Sequence, residues 1–211
     1  MKRKYIRENP IAQLDFAELE TREVEVFKVE QVASLLQAAL DYDLQMLPWF
    51  VFGLLCGIRP DGELSKLDWD SVHLAERQVV IPPEVSKTRR RRFVDLSPNA
   101  VAWLEEYRRR GAAFSRKIAP RPKSALIQRR KRVQTKAGVD KWIQQGMRHS
   151  FCSYWLAKHE DVNKLVLQSG HTDAQTMWDS YHRGVTSAEA EKFWSIVPPA
   201  ADAKIIAFAS A

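Results

Sequence analysis

The side chains best suited to chemistry are scattered along the chain. Arg59 and Glu63 lie in "CGIRPDGELSKLDW", and Lys87 lies in "VSKTRRRR". Arg148 and His149 lie in "GMRHSFCSYWLAKH"; His171 and Tyr181 lie ten positions apart in "LVLQSGHTDAQTMWDSYHRG". Arginine offers planar, bidentate donors that match anionic oxygens. Lysine and histidine give or take protons, and a tyrosine hydroxyl can form a covalent intermediate. These types suit chemistry on an anion. Nothing in the sequence looks like a carboxylate cluster or a glycine-rich phosphate loop. Cys56 and Cys152 are too isolated for a metal-ligand pattern or a disulfide framework. No metal and no cofactor are expected.

The elements that must position these residues are mostly helical. Val32, Leu35, Leu36, Ala39 and Leu40 follow the i, i+3, i+4 spacing of an amphipathic helix over Val29 to Leu40. Met46 to Cys56 is apolar nearly all round, which predicts a central core helix with Pro48 in its first turn. Gly57-Ile58-Arg59-Pro60 breaks it, and a short helix is expected over Glu63 to Leu67. Val79-Val80-Ile81 and Phe93-Val94-Asp95-Leu96 are β-prone runs between charged turns, so an antiparallel sheet of about three strands is expected, with Lys87 in a turn. Ser97-Pro98 opens a helix through Tyr107. Further helices are expected over 124–136, 147–158, 162–169, 173–182 and 187–194. Asp161 can cap the helix that Gly170 ends, and Thr186 with Glu189 fits a capping box. The fold class is therefore mainly α with a small antiparallel β-sheet. Tyr107, Tyr154, Met177 and Trp178 fall in helical patterns and read as core.

The chain has 211 residues, 45% of them hydrophobic, enough for one large domain with a real core. Its formal net charge of +7 points to a polyanionic partner. Three basic clusters sharpen this: Arg89 to Arg92, Arg108 to Arg110, and Arg129, Arg130, Lys131 and Arg132. Each could neutralise phosphates, although any one could be only a solvated face. Phosphate contacts position a protein without reading bases. Both cysteines sit in apolar runs and read as buried, reduced thiols, which places the protein in the cytoplasm. The basic start "MKRKYIRENP" lacks an apolar segment after it and is not a signal peptide; no run is long enough to span a bilayer.

Four motifs stand in order: an Arg followed by Glu-Leu, a Lys in a β-hairpin, an Arg-His-Ser, and a Gly-His followed by a Tyr. In this order they resemble the catalytic domain of the tyrosine recombinases, the phage integrase family, over roughly residues 29 to 197. The resemblance implies a site-specific DNA recombinase or integrase of the tyrosine recombinase catalytic-domain fold, carried by a phage or other mobile element and acting at the nucleoid. It implies that Arg59 and Arg148 clamp the non-bridging oxygens of a phosphodiester, where charge builds in the transition state. Lys87 would protonate the leaving 5′-oxygen. His171 would hydrogen-bond the phosphate or the attacking phenol, and Tyr181 would be the nucleophile that forms a 3′-phosphotyrosine. Glu63 would orient Arg59, with Gln145 in support. Double-stranded DNA is the implied partner, with self-association into a tetrameric synapse in the full-length protein.

Structural readings compete at each position. Arg59 could simply pair with Glu63, a neighbour of Lys87 could be the hairpin cation, and His171 could be only a helix cap. Many family members carry a histidine three residues before the second arginine, where this chain has Gln145, which cannot take a proton. The Arg59–Glu63 and His171–Tyr181 spacings are each one residue longer than in the best-known members, extra residues that loops are expected to absorb. Residues 1–28 read as a linker remnant, where full-length members usually carry a helical domain that closes a clamp on DNA. A fragment of this kind is expected to bind DNA weakly and cleave some strands rather than complete recombination. Residues 198–211 read as a tail, whose Ile205, Ile206 and Phe208 either pass to a neighbouring protomer or dock back on their own domain. The alternative function is a DNA-binding accessory or regulatory protein with the same fold and no strand cleavage. A type IB topoisomerase shares the phosphotyrosine chemistry but not strand exchange.

Overall fold

The computed structural model describes residues 24–112, 117–119, 122–182 and 184–199. The C-terminal segment with Ile205, Ile206 and Phe208 lies outside these residues, as does most of the N-terminal linker. Eight α-helices and a three-stranded sheet make up the described part: α1 (Val29–Tyr42), α2 (Leu47–Leu54), β1 (Val72–His73), β2 (Gln78–Ile81), β3 (Arg92–Asp95), α3 (Pro98–Arg109), α4 (Lys123–Lys136), α5 (Gly146–His159), α6 (Val162–Ser169), α7 (Ala174–Tyr181) and α8 (Ser187–Trp194). The sheet is antiparallel in the order β1-β2-β3, with Val79 opposite Val94 and Ile81 opposite Arg92. The mainly helical fold with its small sheet matches the reading from pattern. No helix among the described residues is long and apolar enough to cross a membrane.

Every residue of α2 is buried, as its all-round apolar sequence requires. It packs against α1, α3 and α5. Phe27, assigned from sequence to the linker, is fully buried in this main core. Its amide donates to Ser150 Oγ at 2.8 Å and its carbonyl accepts from the Tyr154 hydroxyl at 3.0 Å. The packed body therefore begins ahead of Val29. A second apolar cluster joins α5, α6 and α7 through Phe151, Cys152, Trp155, Leu165, Met177 and Tyr181. Tyr107, Tyr154 and Met177 are core, as expected, and both cysteines are buried and free. Trp178 is not: it stands 40% exposed, with its ring stacked on His182. A helix of eight residues packed on one side cannot bury neighbouring positions equally, and Met177 takes the inward face.

Capping follows the sequence signals. Asp161 accepts from the Lys164 amide, and Gly170 ends α6 in the left-handed region at φ 70°. Thr186 and Glu189 form the expected capping box at α8. The break after α2 differs from expectation. In place of a helix over Glu63 to Leu67, Pro60–Leu64 forms a single π turn, in which both the Glu63 and Leu64 amides donate to the Arg59 carbonyl at 3.0 Å. The Arg59–Glu63 spacing is thus taken up inside a helical turn, not in a loop; such single π turns recur at functional sites.

Candidate active site

Arg148 is the fixed point of the site. It lies in the first turn of α5, where helix amides add to the positive potential. Its side chain is 3% exposed. Nη1 donates to the Gly57 carbonyl at 2.7 Å and Nη2 to the Ser169 carbonyl at 2.6 Å. Burial lowers its pKa to about 10, so it stays a cation at neutral pH. Gly57 holds φ 65°, and an added Cβ would fall 2.3 Å from the Phe151 ring, so only glycine can present that carbonyl.

Arg59 is brought beside it by the chain break. Its Nη1 donates to Glu63 Oε1 at 3.1 Å and its Nη2 to the Gly170 carbonyl at 3.3 Å. Glu63 is 1% exposed, and its main partner is another residue, Arg92. Arg92 Nη1 and Nη2 grip both Glu63 oxygens at 2.8 and 2.7 Å, and its Nε donates to the Gln168 carbonyl at 2.9 Å. Burial alone would raise the Glu63 carboxyl, yet Arg92 and Arg59 more than offset this and hold its pKa below the usual value. Glu63 thus bonds Arg59 as the centre of an Arg59–Glu63–Arg92 triad. Arg92 was grouped with the DNA-binding residues, and the structure corrects this. It is 8% exposed, with its guanidinium committed inward. Strand alternation explains it: Arg92 and Val94 face the interior while Phe93 faces out.

His171 follows α6 directly. Nη2 of Arg148 lies 3.2 and 3.3 Å from its two ring nitrogens, and Ser169 Oγ lies 2.7 Å from Nδ1. The Ser169 hydroxyl already donates its one hydrogen to the Leu165 carbonyl, so Nδ1–H donates to Ser169 and Nε2 is left as an acceptor. Burial and the charges of Arg148 and Arg59 lower its pKa to about 3, which keeps the ring neutral. Asp173, not His171, caps α7. At the end of α7, Tyr181 is 6% exposed. Burial, the first cause, raises its pKa well above the phenol range, against the pull of Arg148 and Arg59. Its hydroxyl lies 2.8 Å from His149 Nδ1. Burial and then Arg148 lower the His149 pKa.

Lys87 stands exposed in the turn between β2 and β3, as the pattern predicted. With Arg59, Glu63 and Arg89 it lines one cleft of about 770 Å³. Arg89, Arg90 and Arg91 are exposed beside it. On α4, Lys131 and Arg132 are exposed, whereas Arg129 is paired with Asp43 and Gln45. Arg130 lies 4.4 Å over the Trp142 ring. The 108–110 cluster is largely internal to its helix, with Arg109 and Arg110 both on Glu106. Gln145 is the N-cap of α5 at φ 59°, exposed, at the rim of a pocket with Trp49, Arg130 and Trp142. Its carbonyl accepts from the Arg148 and His149 amides.

Sequence reasoning did not single out two side chains that the structure brings to this site. Arg92 was hidden in a uniform run of arginines, and only the two-residue alternation with Val94 could have singled it out. His149 was seen but left outside the catalytic set. Adjacent helix positions point about 100° apart, so its role depends on where α7 docks.

In this mainly helical domain two guanidiniums, two neutral imidazoles and a buried phenol come together, an arrangement chemically able to hold an anion beside a nucleophile. The chain belongs to the phage integrase family, whose sequence profile matches residues 25–186. It is 26% identical over 192 residues to the tyrosine recombinase XerC of Alcanivorax borkumensis, covering 83% of this chain and 61% of that protein's length. The fold is shared with the XerA recombinase (TM-score 0.63, 20% identity, covering 82% of this chain and 65% of that one). It is also shared with the Tn1549 transposon integrase, solved in complex with transposon right end DNA (TM-score 0.58, 16% identity, 88% and 71% covered).

Proposed function

We propose that this chain is the catalytic domain, over residues 29–197 together with Phe27, of a site-specific DNA recombinase or integrase that cuts and rejoins strands through a 3′-phosphotyrosine on Tyr181. The carrying observation is that Arg59 and Arg148 are held on a frame of backbone carbonyls, with the His171 ring against the Arg148 fork and Tyr181 at the end of the helix that follows. Held carbonyls fix both forks before substrate arrives, so charge developing on the phosphate meets preorganised donors. Tyr181 Oη attacks phosphorus and the P–O5′ bond breaks. Lys87, on the turn that lines a cleft with Arg59, gives a proton to the leaving oxygen. His171, unprotonated at Nε2 in the free chain, needs the negative charge of a bound phosphate to raise its basicity before it can donate there. The phosphotyrosine keeps the bond reactive toward a second 5′-hydroxyl, which completes rejoining.

Double-stranded DNA is the proposed partner. Lys87, Arg89, Arg90 and Arg91 on the hairpin, with Lys131 and Arg132 on α4, are the proposed phosphate contacts; Arg129 and Arg130 belong to this set less directly, given their partners. Self-association into a tetramer on DNA, in the cytoplasm at the nucleoid, is proposed for the full-length protein. The chain is to be incubated with nicked suicide duplexes from a random-sequence pool, and covalent adducts isolated under denaturing conditions. Wild type should give a 3′ adduct on Tyr181, and Tyr181→Phe should give none while binding DNA nearly as well. An adduct that survives in the variant would refute the assignment. No wild-type adduct on any duplex would favour a binding protein without strand cleavage.

A further inference from the structure

The nucleophile needs a proton acceptor, and residue 145, where many family members place a histidine, is Gln145. We propose that His149, next to Arg148 on α5, takes the phenolic proton of Tyr181, a role that Gln145 cannot fill. This inference rests on the proposed recombinase reading and concerns the same site.

Three observations carry it. His149 Nδ1 is 2.8 Å from Tyr181 Oη, within direct proton-transfer reach, and the two rings are 5.8 Å apart. Gln145 sits in the left-handed region at the start of α5 with an exposed side chain, and its backbone carbonyl accepts the His149 amide, which fixes the root of that side chain. His171, the other imidazole near Tyr181, is engaged with Ser169 and Arg148 instead, with ring centres 6.4 Å from the phenol. The groups around His149 are Arg148 on its own helix, Tyr181 on α7 and His171 in the turn before it.

The transfer balances. As Oη bonds to phosphorus, its proton passes to Nδ1 and His149 becomes an imidazolium; the leaving 5′-oxygen takes its proton from Lys87. Rejoining reverses both transfers. Burial, and then the field of Arg148, disfavour the imidazolium, and a bound phosphate cancels part of that field. A phosphate in the arginine clamp therefore makes His149 a better base, which links proton transfer to binding.

The test uses His149→Asn, whose amide oxygen can stand near the Nδ1 position and hold the phenol but cannot take a proton, and His149→Ala, which removes both functions. Substrates are the suicide duplexes that wild type cleaves, each also made with a 5′-bridging sulfur, a leaving group that needs no acid. Both variants should lose about a hundredfold or more in cleavage rate with DNA affinity within about twofold. The sulfur substrate should not restore them, although it should restore Lys87→Ala. Wild-type cleavage should rise with pH through the His149 titration, and His149→Asn should lose that limb. Cleavage by His149→Asn within about threefold of wild type with the same pH profile overturns the proposal and leaves the recombinase reading standing. Rescue of His149→Asn by the sulfur substrate overturns it too, by making His149 part of the acid side. Absence of any wild-type adduct removes the recombinase reading and this inference together.

Discussion

Arg92→Leu tests whether the buried triad, and not a set of surface charges, holds the clamp. The substitution removes two bonds to Glu63 and one to the Gln168 carbonyl. Glu63, 1% exposed, would keep only the Arg59 side chain and amide. Breaking a buried pair by deleting one partner costs about 3–5 kcal/mol, because an uncompensated charge remains. For a domain of this size each kcal/mol shifts Tm by about 2–4 °C, so melting should fall by roughly 6 to 20 °C. The pH dependence carries a sign. In wild type the Glu63 pKa is lowered, so its stabilisation is present above the unfolded carboxyl pKa and lost as pH falls through the folded value. Without Arg92, burial dominates and raises that pKa, so the penalty is present at neutral pH and relieved on acidification. The Tm gap between wild type and variant, measured by calorimetry from pH 7 to pH 4, should therefore narrow. A fall of under about 2 °C, or a gap that stays constant toward pH 4, would refute the argument. Arg92→Lys should recover part of the stability but not the two-pronged grip.

Arg148→Lys keeps the charge but cannot reach the Gly57 and Ser169 carbonyls and a phosphate together; single-turnover cleavage should fall by at least about a hundredfold while filter binding at moderate salt changes far less. Equal losses would reduce Arg148 to an electrostatic anchor. Gln145→Gly relieves a left-handed backbone and should leave stability unchanged or raise it by up to about 1 kcal/mol in urea unfolding, whereas Gln145→His should be tolerated with cleavage unchanged or faster near neutral pH. Burial raises the pKa of both thiols, that of Cys152 to about 11, so neither should react with a thiol reagent in native protein and both should react after denaturation. Labelling of the native chain at the unfolded rate would contradict the packing of α2 and α5.

Much was legible in the residues alone, because local order follows local rules. Apolar spacing placed α1 and α2, Asp161, Gly170, Thr186 and Glu189 marked helix ends, and β-prone runs around the charged turn set Lys87 on a hairpin. Residue types and their order along the chain also marked Arg59, Arg148, His171 and Tyr181, since each carries chemistry that few side chains can supply. What remained hidden depends on contacts between distant segments. That Arg92 turns inward to Glu63 follows from β3 lying over the π turn, 29 residues away in sequence. That His149 meets Tyr181 follows from how α7 docks on α5, 32 residues away. Helical pattern put Trp178 in the core because it reports a face, whereas the width of the buried stripe is set by the neighbour that covers it. The identities of the proposed reactive groups were thus written locally, and tertiary packing alone decided which of them hold one another, since burial and hydrogen-bond partners are properties of the assembled chain.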